Sequence, residues 1–215
     1  MGENPDTVET LIERLREGRH VYSHKVACAF RAVPRERFIP ERLHDRAYDD
    51  VPLDIGEGQT ISAPHVVADI TELLDLKAGQ KALEIGTGSG YHAAITAEIV
   101  GASNVFTIER LPSLAKIARK NLNSVGYGPV SVIIGNGARG LPGLDPFDRI
   151  YLTCAVPEVP EPLIEQLADD GRMVVPIDQD IQRLVLVEKH GNRVERIPFG
   201  VVQFVPLIDD YGCEP

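Results

Sequence analysis

Cysteine is scarce in this chain: Cys28, Cys154 and Cys213 are the three among 215 residues. They are widely spaced and odd in number, and they form neither a Cys-x-x-Cys pair nor a metal-ligand cluster. They read as reduced thiols of a cytoplasmic protein. The six histidines, His20, His24, His44, His65, His92 and His190, are scattered without a zinc-ligand spacing. No apolar run approaches the ~20 residues of a membrane-spanning helix. The opening residues Met1 to Val8 are polar and acidic, unlike a secretory leader. Basic residues are in deficit: 22 Lys plus Arg against 32 Asp plus Glu leave a formal charge of −10. Such a field repels nucleic-acid phosphates and anionic membranes. A serine-hydrolase elbow, Gly-x-Ser-x-Gly, is also missing, because Gly88-Ser89-Gly90 has the wrong spacing. The expectation is therefore no metal, no nucleic acid and no membrane. A monomer is favoured, although composition does not set the oligomeric state.

What is present is a globular composition, 43% hydrophobic and 25% charged, at a length that suits one domain with a sizeable core. Val8, Leu11, Ile12 and Leu15 repeat at helical spacing, which predicts an amphipathic helix over Thr7–Glu17, stopped by Gly18. A second helix is expected over Ser23–Ala32 and a third over Pro64–Leu74. Between them, Val33–Thr60 holds Pro34, Pro40, Pro52, Gly56 and Gly58 and reads as irregular; so long a stretch usually has a function. From Lys81 the pattern alternates. Strands are expected at Lys81–Ile85, Val105–Ile108, Val130–Ile134, Arg149–Thr153 and Arg172–Pro176. Helices are expected at Tyr91–Val100, Leu111–Val125 and Val159–Leu167. This alternation implies a mostly parallel, doubly wound α/β sheet. The end is β-rich: Leu184–Glu188 and Val194–Ile197 flank a His190-Gly191-Asn192-Arg193 turn, and Val201–Val205 reads as one further strand. Residues 1–215 form one domain in this reading. Its parts are N-terminal helices and a loop (1–78), a ligand-binding βα core (79–180) and C-terminal strands (181–215).

The chemistry concentrates in Glu84-Ile85-Gly86-Thr87-Gly88-Ser89-Gly90, where a buried strand runs through alternating glycines into a helix. Glycines there let backbone N–H groups approach a ligand at a helix N-terminus. A dinucleotide fingerprint would need its third glycine at Tyr91. Glu84 is ill placed beside a pyrophosphate but suits a cationic cofactor. S-adenosylmethionine carries a sulfonium and an ammonium; a plain glycine-rich turn without a ligand is the bland alternative. Glu109 ends the second core strand, 19 residues beyond Gly90. It reads as a ribose-hydroxyl acceptor, or as a solvent-facing acid at a helix start. Asn136-Gly137 follows the third core strand and suits an adenine amine, or a simple Asn-Gly turn. In Gly58-Gln59-Thr60-Ile61-Ser62-Ala63-Pro64-His65, Ser62 or Ala63 stands just outside a helix that Pro64 opens, and Ser62 is a good N-cap type. His92 reads as a helix-surface residue.

Taken together these segments resemble the protein-L-isoaspartate (D-aspartate) O-methyltransferase family across nearly the whole chain. The resemblance runs through Val33-Pro34-Arg35-Glu36-Arg37-Phe38-Ile39-Pro40, Tyr48-Asp49-Asp50, the Ser62 loop and the glycine loop. It continues through Ala155-Val156-Pro157-Glu158-Val159-Pro160, the Asp170-Gly171-Arg172 approach to the fifth strand, and Phe204-Val205-Pro206-Leu207. It implies a Rossmann-like S-adenosylmethionine-dependent methyltransferase that esterifies the free α-carboxylate of isoaspartyl residues in damaged proteins. D-aspartyl sites are left open. Ser62 matches the family's active-site serine, and Gln59, Thr60 and Ile61 its ligand-contacting neighbours. Gly86, Gly88, Ser89 and Glu109, with Glu84, fall on the cofactor side. Asn136 and Gly137 match an adenine-reading Asp-Gly pair, so Asn136 is a departure, as is Val67 where some members have histidine. Ile61, Ser62, His65, Val202 and Phe204 are the expected peptide contacts. The alternatives are a methyltransferase of another carboxylate or small substrate, and a non-catalytic binder of damaged proteins. Asn-Gly is also the dipeptide most prone to deamidation. On prolonged incubation Asn136 should convert to Asp or isoaspartate, and peptide mapping that finds it unmodified defeats this expectation.

Overall fold

The computed structural model describes residues 7–208. Cys213 and most of the acidic Met1–Val8 stretch lie outside them. Helix α1 (Val8–Glu17) starts at the N-cap Thr7, whose hydroxyl accepts from the Thr10 N–H, and it buries Leu11, Ile12 and Leu15. Helix α2 (His24–Ala32) is capped by Ser23. The expected irregular stretch is more structured than its Pro and Gly content implies. It holds 3₁₀ turns at Arg35–Phe38 and Glu41–Arg46 and an antiparallel hairpin of β1 (Leu53–Gly56) with β2 (Gln59–Ile61). Prolines set the starts of both 3₁₀ turns, and Gly56 and Gly58 adopt the positive φ that the hairpin turn needs. Helix α3 (Pro64–Leu74) follows, with Pro64 in its first turn and Asp75 as a left-handed C-cap.

The core alternates β3 (Ala82–Ile85), α4 (Tyr91–Val100), β4 (Val105–Glu109), α5 (Pro112–Ser124), β5 (Ser131–Ile134), β6 (Phe147–Leu152), α6 (Glu161–Gln166) and β7 (Leu167–Ile177). The long hairpin β8 (Arg183–His190) and β9 (Arg193–Val201) completes a seven-stranded sheet in the order β5-β4-β3-β6-β7-β8-β9. Pairing is parallel from β5 to β7 and antiparallel beyond. Three expectations need correction. Strand β7 begins at Leu167, through the Asp169-Asp170-Gly171 stretch that reads as a break; Asp170 at φ 57° absorbs the irregularity. Helix α6 is shorter than predicted because Pro160 is its N-cap and Val159, preceding a proline, stays outside it. Val201–Val205 is not a separate strand. Val201 ends β9, and the Gln182 side-chain amide then accepts from the Phe204 N–H (2.8 Å) and donates to its carbonyl (3.3 Å). Pro206, with no N–H for a ladder, makes only an isolated bridge to Ala155.

Successive residues of each central strand enter different cores, since strand side chains alternate faces. Tyr151 and Val174 pack with α1–α5 on one side, while Leu83, Ile85, Ile150, Leu152, Met173 and Val175 pack with α6 on the other. Both faces are therefore covered, and the carboxyl edge of β3, β4 and β6 is left for binding. Among the described residues no helix is long and apolar enough to cross a membrane. Ile150, wholly buried at the sheet centre, sets a stability expectation. Ile150→Ala should cost about 2–5 kcal/mol, read as a lower urea midpoint at unchanged slope.

Candidate active site

The first core chain turn after β3 is built around close approaches. Gly86 sits at φ 98°, and a Cβ there would stand 2.2 Å from Thr153 Oγ1. Thr153 uses that hydroxyl to donate to the carbonyls of Gly86 (2.6 Å) and Ile85 (3.1 Å), tying the end of β6 to the turn. Gly137 is held as tightly: its Cβ would meet Ile85 Cγ2 at 2.2 Å. The chain turns after β3, β4 and β5 thus converge on one crevice of about 920 Å³, counting its open mouth.

Glu109, at the end of β4, accepts from the Gly88 N–H on one oxygen and from the Leu111 N–H on the other, each at 2.9 Å. Both oxygens keep further acceptor capacity toward the crevice. Glu84 is different. It has zero exposure and stands in register between Thr107 of β4 and Tyr151 of β6. The Thr107 hydroxyl donates to Oε2 at 2.6 Å, and Oε1 has no partner. Burial pushes this carboxyl up to about 8, Thr107 and Tyr151 oppose that rise, and the nearby Glu109 charge adds to it. His92 is not the surface residue its helix position suggests. Helix α4 is buried on all sides between α2 and the sheet, so it has little solvent-facing side to offer. The imidazole packs on Tyr151 with ring centroids 4.4 Å apart and its Nε2 lies 3.1 Å from the Thr71 hydroxyl. Burial lowers its pKa to about 3, so it is neutral. Burial likewise pushes the Cys154 thiol up to about 12, so it carries no thiolate at neutral pH.

Ser62 lines the same crevice together with Gln59, Thr60 and Ile61, delivered by β2 across from the glycine turn. Gly86, Gly88, Ser89, Glu84, Glu109 and Gly137 line it as well. Asn136 is one residue outside. Its side-chain oxygen accepts from the Ala138 N–H at 2.9 Å and caps a short 3₁₀ turn. His65 lies outside the lining, in the first turn of α3, with its ring on Asp50. Val202 and Phe204 also stand outside it, just before the lining segment Val205–Ile208. Sequence reasoning missed Ile208, Thr153, Arg110, Tyr91 and His92. The carboxyl-edge rule for open α/β sheets would have flagged Thr153 at the end of β6, whereas no local signal marks Ile208.

Among the described residues, four buried side-chain polar atoms lack a hydrogen-bond partner, and three of them belong to crevice residues: Glu84 Oε1, Ser89 Oγ and His92 Nδ1. Buried polar atoms are nearly always satisfied. Their gathering at one crevice fits a polar ligand that supplies the missing partners; the carboxyls of Glu84 and Glu109 suit hydroxyls, and a positive charge beside Glu84 would favour its ionised form. The family model for protein-L-isoaspartate (D-aspartate) O-methyltransferase matches residues 6–212. The chain belongs to that family. A protein-L-isoaspartate O-methyltransferase of Archaeoglobus fulgidus is 52% identical over 206 residues, covering 95% of this chain and 94% of the relative. One from Methanopyrus kandleri is 51% identical over 210 residues, covering 96% and 93%. The fold matches a crystal structure of a beta-aspartate methyltransferase from Plasmodium falciparum in complex with S-adenosyl-L-homocysteine. That match has a TM-score of 0.85 at 27% identity, over 94% of this chain and 99% of the other. S-adenosylmethionine is accordingly the cofactor of this methyltransferase, whose Rossmann-like fold is the one the alternation of strands and helices predicts.

Glu84 gives this methyltransferase a pH signature. The folded, ligand-free chain keeps the Glu84 proton up to about 8, whereas an unfolded chain releases it near 4.5. Between those values the folded state binds more protons, so its stability falls as pH rises. Below about pH 6.5 the buried, neutral His92 opposes this slope, because an unfolded chain protonates it; urea midpoints of the ligand-free protein should therefore fall from about pH 6.5 to about pH 8, and Glu84→Gln should flatten that fall.

Proposed function

We propose that the chain transfers a methyl group from S-adenosylmethionine to the free α-carboxylate of L-isoaspartyl residues in damaged proteins, with D-aspartyl sites as a second substrate class. The observation that carries this reading is the placement of Ser62 across one crevice from a glycine turn whose buried polar atoms await partners. Glu84, Gly86, Gly88, Ser89 and Glu109, with Asn136-Gly137, hold the cofactor. Gln59, Thr60 and Ile61 bound it from the β2 side. When bound, the cofactor supplies an activated methyl group on a sulfonium.

An α-carboxylate is ionised at neutral pH, with a reference pKa of roughly 3.5, so the acceptor needs no general base. A neutral His92 and a protonated Cys154 agree with that requirement. The work of the protein is then alignment and exclusion of water. Alignment of reacting groups supplies roughly 7–11 kcal/mol in favourable cases. Ser62 donates its hydroxyl to one carboxylate oxygen and leaves the other for the methyl group. The resulting ester is attacked by the next backbone amide without the enzyme, methanol leaves, and the succinimide hydrolyses in part to normal aspartate.

Around this centre, Val202 and Phe204 with the 33–60 segment clasp the peptide through its main chain, which tolerates many side chains. His65 borders the same entrance. The whole chain acts as one unit, supported by a core that runs from α1 to the sheet, and it acts as a monomer. The free thiols of Cys28 and Cys154 fit work in the cytoplasm.

Labelled cofactor should mark an isoaspartyl peptide and spare its normal aspartyl twin; equal labelling of both, or of neither, defeats the proposal. Ser62→Ala should lower kcat by about a hundredfold with S-adenosylhomocysteine affinity within about twofold by calorimetry. An unchanged kcat removes Ser62 from the chemistry.

A further inference from the structure

A serine just before a helix that opens with proline ordinarily serves as its cap. In this chain that duty has been taken away from Ser62. The N-cap of α3 is Ala63 and makes no side-chain cap bond. Pro64 has no N–H, and the Val66 and Val67 N–H groups both reach the Ala63 carbonyl, at 3.1 and 3.2 Å. One orphan donor remains in the first turn, the His65 N–H. Asp50 takes it from fifteen residues upstream: Oδ1 accepts from the His65 N–H at 2.8 Å and lies 2.9 Å from the ring Nδ1.

The other side of Ser62 is fixed by Arg35. This guanidinium has zero exposure. It donates to four main-chain carbonyls: Ala47 and Asp49 at 3.4 Å, Val51 at 3.2 Å and Ser62 at 3.0 Å. Asp49 and Val51 flank Asp50, so one buried cation holds both the residue that caps α3 and the backbone of Ser62. It also lies over the ring of Tyr91, 5.7 Å from its centroid, directly after the glycine turn. The Ser62 hydroxyl is left with no hydrogen bond among the described residues.

We propose that Arg35 and Asp50 are positioning residues for methyl transfer: they satisfy the helix end and the loop backbone so that the Ser62 hydroxyl stays uncommitted and meets the acceptor carboxylate. This rests on the function proposed above. Both act through Ser62, so their effect must vanish when Ser62 has no hydroxyl.

The test is a double-mutant cycle. Asp50→Ala and Arg35→Lys are each made with Ser62 intact and with Ser62→Ala. The readouts are kcat and KM for an isoaspartyl peptide, and S-adenosylhomocysteine affinity by calorimetry. With Ser62 present, each change should lower kcat by roughly tenfold at unchanged S-adenosylhomocysteine affinity. Asp50→Asn still offers an acceptor to the His65 N–H and should restore most of the rate. In the Ser62→Ala background neither change should matter further. Equal losses in both backgrounds, or an Asp50→Asn enzyme as slow as Asp50→Ala, overturn the inference. Asp50 is half-exposed and its replacement leaves the core intact, so the Asp50 arm decides the matter even if Arg35→Lys fails to fold. A wild-type chain that leaves the isoaspartyl peptide unlabelled sinks the proposed function itself; a labelled peptide with an additive cycle sinks only this inference.

Discussion

The parallel register of β3 with its two neighbours governs everything else in the molecule. Glu84 pairs with Thr107 on one side and Tyr151 on the other, and Ile85 with Ile108 and Leu152. With these strands running the same way, the turns that follow β3, β4 and β6 leave the sheet at one edge. Three short loops, far apart in sequence, then share a single crevice. A slip of one residue in β3 would turn Glu84 into the α6 core and Ile85 into the polar row. The apolar neighbours Leu83, Ile85 and Ile150 hold the register against that slip.

Two buried ionisable groups each keep an atom without a hydrogen-bond partner in the ligand-free protein, Glu84 Oε1 and Arg35 Nε. Glu84 is a carboxyl beneath the glycine turn with one oxygen unpartnered, and Arg35 is a guanidinium behind Ser62 surrounded by carbonyl dipoles. Burying such groups is costly unless something pairs with them. A positive charge beside Glu84 would favour its ionised form. The neutral His92 between α3 and the sheet adds no charge of its own there.

Much of this was legible from residues alone. Helix α3 and α4 fall within the expected bounds, and four of the five parallel strands and the terminal hairpin stand where the apolar runs and turn residues put them; β7 starts earlier, at Leu167. The glycine turn and Glu109 stand at the crevice where the local pattern put them, because each placement is decided within one short segment. Misreadings came from segments whose state is decided by distant partners. The 33–60 stretch looks structureless, yet Arg35 organises it from within. Val202–Phe204 looks like a strand, yet Gln182 occupies its backbone. His92 looks like a surface residue because helix periodicity says nothing about a second layer packing over it.

The sequence by itself determined the fold class, the glycine turn and the family, since hydrophobic periodicity and glycine placement are local and survive without knowledge of contacts. It could not decide what Ser62 does. A serine beside a helix start has two uses, and the choice depends on whether another group satisfies the first-turn N–H. Only the tertiary structure brings Asp50 to His65 and Arg35 to the Ser62 carbonyl, across fifteen and twenty-seven residues of chain. Hydrogen bonds depend on distance in space, and separation along the chain does not encode it.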